Sequence, residues 1–355
     1  MSGRSAEFDL LVDCCRGSFA GTAVSVGRGI DWPLFLRLAR FHRVQGLTWP
    51  AVAKVDIPAD IAKALSNDAV NIAASNLMAA RESKRLLDGF AEAGTEPLFV
   101  KGLTLGALAY RDIAVKAAVD IDLLIAEDGL EMAASLLQEL GYRVQEPTGV
   151  YSLERLMAWH GPGKESTWVR SNPASVVDLH TRLSDNAALI PTLGRRSPRQ
   201  TVEVINGIAL PTLADEELVA YLCVHGASSA WFRLKWITDF AALLHRRTPA
   251  DIEHLYRRSQ ELGAGRSAAQ ALLLADALYG TLAENGELRA ELRSSAQSRW
   301  LFRKAFRQLA ARREPVEPTA RRWGTATIHS TQFLLLPGVG FKLSEFLRQT
   351  RAALR

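Results

Sequence analysis

The sequence predicts an α+β fold in which a small mixed β-sheet is flanked by helical regions on its N-terminal and C-terminal sides. Three observations point to it. Apolar side chains recur at helical spacing up to about residue 94 and again from about residue 211. Between these regions lie short apolar runs broken by glycine, as strands and turns require. One of the runs, DIDLLI from Asp120 to Ile125, holds two aspartates separated by a single apolar residue. The organisation that follows is an N-terminal helical region over 1–94, a core over 95–210 and a C-terminal helical domain over 211–355.

Taken in order, the first clear element is a long helix from Pro58 to Phe90, with Ile61, Leu65, Ile72 and Leu77 among its apolar positions. The run PLFVKG then predicts a strand over Pro97 to Lys101 that breaks at Lys101-Gly102. A helix follows, because Leu103, Ala107 and Tyr110 recur at helical spacing. Further strands are expected over Asp120 to Ile125, Tyr142 to Gln145, Thr167 to Arg170 and Ser175 to His180. A helix from Asp128 to Leu140 separates the first two of these, with Gly141 placed to end it. From about Pro211 the pattern is helical, with a break expected through Arg312 to Pro318, and no internal repeat is present.

The aspartate pair carries the chemistry. On a strand, residues i and i+2 share a face about 7 Å apart, so Asp120 and Asp122 stand side by side. Without a counter-charge they would repel each other and lose hydration. A hard divalent cation answers both costs, and carboxylates on a rigid element suit Mg²⁺, which takes one or two protein carboxylates together with substrate phosphates. Asp178, in SVVDLHTRL, sits after two valines and supplies a third carboxylate on a strand. A helix opening at Gly102 offers backbone N–H groups and its positive end to an anion, with Thr104 adding a hydroxyl.

These residues resemble the bacterial nucleotidyltransferase family proteins of the DNA polymerase β-like superfamily. The resemblance rests on Lys101-Gly102, Tyr110, the basic Lys116, DIDLLI from Asp120 to Ile125, and DLH from Asp178 to His180. It extends to DWPLFLRLARFHRVQGL near the start and to YLCVHGASSAWFRLKWITDFAALL from Tyr221 to Leu244. Lys116 stands where the family usually has arginine, Val119 where it has glycine, Thr181 where an aromatic often follows Asp-Leu-His, and Ser229 where many relatives carry histidine.

The resemblance implies a nucleotidyltransferase fold for the sheet. It further implies transfer of a nucleoside monophosphate from ATP or another nucleoside triphosphate to a hydroxyl or similar acceptor on a small molecule, peptide or protein. Asp120, Asp122 and Asp178 are then the catalytic and metal-binding carboxylates for Mg²⁺ or Mn²⁺. Lys101, Gly102, Thr104 and Lys116 are expected at the phosphates, and His180, His225 and Arg233 at the nucleotide or acceptor. Trp236 and Asp239 read as a buried polar network. Two other readings fit the same residues: a binding or scaffold protein that has lost turnover, and a phosphotransferase delivering only the γ-phosphate.

Composition agrees with a folded chain. Its 355 residues are 48% hydrophobic, enough for a sizeable core. The formal net charge is +5, with clusters such as RRSPR from Arg195 to Arg199 and ARREPVEPTARRW from Ala311 to Trp323. Arginine dispersed through alanine- and leucine-rich sequence reads as solvated helical faces, so nucleic acid is not an expected partner. Cys14, Cys15 and Cys223 lack metal-ligand spacing and an even count for pairing, which suits a reducing cytoplasm. The N-terminal residues do not read as a signal peptide and no run is long enough to span a membrane. The apolar segment TQFLLLPGVGFKLSEFL, Thr331 to Leu347, is expected to pack on the body of the protein, with contact to a partner or a membrane surface as the alternative reading.

Overall fold

Four helices open the chain in the computed structural model, which describes residues 4–149, 152–310, 316–320 and 322–353. They are α1 (Ala6–Ala20), α2 (Trp32–His42), α3 (Gln45–Val52) and the long α4 (Ala59–Glu92). The middle of the chain follows as β1 (Leu98–Phe99), α5 (Gly102–Tyr110), β2 (Ile121–Leu124), α6 (Leu130–Glu139), β3 (Arg143–Glu146), α7 (Leu153–His160), β4 (Glu165–Ser171), β5 (Ala174–His180), β6 (Arg199–Ile205) and β7 (Ile208–Leu213). Helices α8 (Asp215–Ser228), α9 (Leu234–Leu244), α10 (Pro249–Glu261), α11 (Gly265–Tyr279), α12 (Gly286–Ser294), α13 (Ala296–Leu309), α14 (Ala326–Gln332) and α15 (Val339–Ala353) complete the order. The fold class is α+β. One compact unit comprises Met1–Val70 with Val219–Arg355, and the other comprises Asn71–Leu218.

The sheet belongs to the second unit. Its strands lie in the order β1-β2-β5-β4-β3, with β2 and β5 parallel and the other neighbours antiparallel. Alternation along the strands separates two faces. Ile121, Leu123, Val177, Leu179 and Trp168 turn to one face and are buried in a single apolar core. Leu130, Ala133, Ala134 and Leu137, spaced i, i+3, i+4, i+7 on α6, pack into that core together with Leu86 and Phe90 of α4. Asp122, Asp178 and His180 belong to the opposite face. The apolar half of each strand therefore anchors the sheet, and the polar half is left to form a site.

Most expected elements are present, with shifted ends. The strand expected over Pro97 to Lys101 is only Leu98–Phe99, and Asp120 lies just before β2. Gly141 follows α6 with φ +85°, where Tyr142 N–H donates to Leu137 O at 2.8 Å, so it closes the helix as expected. The hairpin of β6 and β7 departs from expectation, since helix was expected from Pro211 and begins at Asp215. Val202, Val204 and Leu210 of this hairpin join the same core, which is why the segment is strand. Helix α7 is a second unforeseen element. The expected break through Arg312 to Pro318 falls mainly outside the described residues.

In the helical unit, Asp31 caps α2 by accepting from Leu34 N–H at 2.9 Å, and Pro33 occupies its first turn. Arg16 of α1 donates to Leu278 O of α11 at 2.6 Å. The segment Thr331 to Leu347 packs in part: Thr331, Gln332, Leu335, Phe341 and Glu345 are buried, whereas Val339, Leu343, Phe346 and Leu347 are exposed. No helix among the described residues is long and apolar enough to cross a membrane.

Candidate active site

Strand register brings the carboxylates together. Asp122 on β2 and Asp178 on β5 are direct partners in the parallel pair, so their side chains leave the same face one strand spacing apart. Thr167 on β4 faces Asp178, and Glu165 faces His180. The Thr167 hydroxyl donates to Asp178 Oδ1 at 2.7 Å. Asp120 precedes β2 by one residue, and its charge reaches Asp178.

Asp122 is buried and has two partners, the Lys101 ammonium and the His180 imidazole. Lys101 Nζ lies 2.7 Å from its Oδ1, and His180 Nε2 lies 3.0 Å from the same oxygen. Burial favours the neutral acid, yet Lys101 and His180 outweigh burial and keep Asp122 well below the usual carboxylate range. Asp178 is displaced the other way. Burial raises it, the Thr167 hydrogen bond lowers it, and the charges of Asp122, Asp120 and Glu165 raise it again, to about 6. One carboxylate is internally neutralised while its strand neighbour is short of positive charge.

Glu165 and Thr167 complete the polar face, and neither was among the residues expected from sequence. Glu165 Oε2 lies 3.0 Å from His180 Nδ1, off the line a hydrogen bond needs, and 3.1 Å from Lys164 Nζ. Burial raises its pKa, but Lys164, His180 and Lys101 lower it further, for a net fall. The signal was available in the alternation of ESTWV, where Glu165 and Thr167 share a face opposite Ser166 and Trp168.

Local structure explains how Lys101 arrives. Gly102 has φ +59°, a left-handed conformation that a side chain resists, and its N–H edge opens α5 directly after Lys101. Thr104 departs from its expected role. Its buried hydroxyl donates to Phe99 O at 2.9 Å and Lys101 O at 3.0 Å, so it ties the turn rather than facing a ligand. Lys116 is buried, with its Cβ and Cδ beside Gly106. Asn76 of α4 donates to Lys116 O at 2.7 Å and also to Ile113 O, pinning the loop that leads to Asp120.

Two expected contacts belong to the helical unit. His225 packs in an aromatic group with Tyr221 at 5.9 Å and Trp236 at 5.5 Å between ring centroids. Arg233 is buried, donates to Phe41 O, pairs with Glu317 and lies 4.9 Å from the Phe41 ring centroid. Its guanidinium is committed inside that unit. Asp239 is buried and Trp236 half-buried.

Comparison with known families decides the assignment, because residues 28–280 match the family model described as an uncharacterised nucleotidyltransferase. The chain belongs to that nucleotidyltransferase family. The match covers more than two thirds of the chain and includes every site residue expected from sequence. No curated protein matches it.

Within this nucleotidyltransferase, the donors fit a hard divalent ion in chemistry, being carboxylate oxygens crowded enough to raise Asp178. Among the described residues, no three His, Cys, Asp or Glu side chains converge as a metal cage. Asp122 turns to Lys101 and His180 instead.

Proposed function

We propose that the core segment 95–210 transfers a nucleoside monophosphate from ATP or another nucleoside triphosphate to a hydroxyl or similar acceptor on a small molecule, peptide or protein. The observation that carries the reading is the register of Asp122 against Asp178 on adjacent parallel strands, next to the Lys101-Gly102 turn that opens α5. Asp120, Asp122 and Asp178 would hold Mg²⁺, or Mn²⁺ in its place. When bound, the ion neutralises charge on the triphosphate and on the leaving pyrophosphate.

The protein's own groups divide the remaining tasks. Lys101 offers its ammonium to the phosphates once released from Asp122, and the N–H groups of α5 add their dipole. Asp178 would orient the acceptor hydroxyl and take its proton as it attacks the phosphorus. Thr167 fixes the Asp178 carboxylate by donating to it. His180 steadies the Asp122 carboxylate through the oxygen that Lys101 also contacts.

Isothermal titration with a non-hydrolysable triphosphate and Mg²⁺ tests the site. Wild type binds and Asp122→Ala does not; equal binding in both, or none in either, sinks the proposal. Release of pyrophosphate, rather than a nucleoside diphosphate, separates nucleotidyl transfer from γ-phosphate transfer. A binding protein of the same fold without turnover has one observation in its favour, the occupation of Asp122 by the Lys101 ammonium and the His180 ring. Steady incorporation of labelled nucleotide into an acceptor excludes that alternative.

A further inference from the structure

The exposed apolar side chains of this protein concentrate after residue 320, beyond the segment that matches the family. On α15, Val339 is 81% exposed, Leu343 58%, Phe346 57% and Leu347 45%. At 100° per residue these four fall within an arc of about 100°, a single stripe along the helix. The opposite side packs: Phe341 and Glu345 are buried, Arg348 donates to Gln332 Oε1 at 2.9 Å, and Gln349 donates to His329 O at 3.1 Å on α14. Trp323, shortly before α14, is 76% exposed with the Arg322 guanidinium 5.9 Å from its ring centroid. A solvated apolar stripe of this kind on a helix calls for a partner.

Charge identifies the partner. Between residues 322 and 353 the basic residues are Arg322, Lys342, Arg348 and Arg351, and the single acidic residue is Glu345. Glu345 is buried and pairs with Arg348 at 2.5 Å, so it offers no negative charge to the exterior. Lys342 and Arg351 are exposed and flank the apolar stripe on either side. An apolar stripe bordered by long cationic side chains suits shallow insertion among acidic headgroups, with the aliphatic stems lying along the apolar layer and the charges reaching the phosphates. A convex stripe on one helix matches a planar surface rather than a peptide that needs a groove.

We propose that the apolar stripe of α15 forms a docking face for an anionic phospholipid surface, with the helix lying in the plane of the membrane. The attachment is peripheral, and it would bring the transferase to acceptors at or near that surface.

Co-sedimentation of the full-length protein with vesicles tests the assignment. The protein should sediment with phosphatidylcholine vesicles containing phosphatidylglycerol, remain in solution with phosphatidylcholine alone, and dissociate as salt is raised. The double variant Leu343→Asp, Phe346→Asp changes only solvated positions, so its circular dichroism should match wild type while vesicle binding falls on the order of tenfold or more per side chain. A second variant, Lys342→Glu with Arg351→Glu, keeps the apolar stripe and should also lose binding to the anionic vesicles. Absence of sedimentation with anionic vesicles, equal binding to neutral ones, or undiminished binding by either variant overturns the proposal. So does a wild-type dimer in light scattering that the aspartate variant dissociates, without vesicle binding, because it would assign the face to a second copy of the chain.

Discussion

Lys101 and Asp122 illustrate how one ion pair can serve two states. A buried carboxylate stripped of its partner costs roughly 3 kcal/mol or more, and here the Lys101 ammonium at 2.7 Å supplies the compensation. The same ammonium competes with any cation entering the site. Lys101→Met keeps the stem and removes the charge, so two opposite effects are expected. The metal-free protein loses roughly 3 kcal/mol and melts earlier, while Mn²⁺ without nucleotide binds tighter, by on the order of tenfold. Nucleotide affinity should fall as the phosphate partner is lost. Weaker Mn²⁺ binding by the variant in calorimetry would show that Lys101 does not compete for Asp122. The aspartates and Lys101 were legible in sequence because strand periodicity and a glycine turn are local properties. Alternation in ESTWV puts Glu165 on a strand face, but which face lines the site is set by pairing with β5, where Glu165 lies opposite His180.

Element boundaries show the same limit. Asn206-Gly207 between the alternating TVEVI and IALPTL is a hairpin signal, with Gly207 at φ +79°. Pro211 and the helical pattern that follows it mask this signal. In the helical unit, Gly226 on α8 has a tertiary reason that its own helix does not supply. A Cβ there would lie 2.4 Å from the buried Trp231 ring. Alanine in a helix interior gains up to about 1 kcal/mol over glycine, whereas forcing a methyl into a packed aromatic costs about 1–3 kcal/mol. The clash wins, so Gly226→Ala should lose up to about 2 kcal/mol of stability, read as a lowered urea midpoint. A raised midpoint would mean that Trp231 yields freely and propensity governs the position.

For the molecule as a whole, acid is the condition that exposes its buried histidines. Burial first, and the Arg233 charge second, lower the His42 pKa from 6.5 to about 3. The neutral ring accepts from Leu234 N–H at 3.1 Å through Nδ1. Between pH 6.5 and pH 3 the unfolded chain takes up this proton and the folded chain does not. The contribution is therefore complete above pH 6.5 and is lost as pH falls, at about 1.4 kcal/mol per unit, or about 2 kcal/mol by pH 5. His160, lowered to about 4 by burial with help from His180 and Arg182, adds in the same direction in the sheet unit. His42→Asn retains an acceptor near Nδ1 and cannot titrate. Its stability should fall less than wild type between pH 7 and pH 5, and parallel losses in denaturant titrations would remove His42 from the account.

Local pattern alone determined the α+β class, the carboxylates on strands and the Lys101-Gly102 turn, because periodicity, glycine punctuation and charge placement are written within a few residues of one another. The family match over residues 28–280 agrees with that reading. Tertiary structure decided what depends on distant partners. It joined Met1–Val70 with Val219–Arg355 in one unit, turned the Thr104 hydroxyl onto backbone, committed Arg233 to Phe41 and Glu317, and set Asp122 against Asp178. Strand register and side-chain burial arise from contacts between segments far apart in the chain, and no window of sequence contains both halves of such a contact.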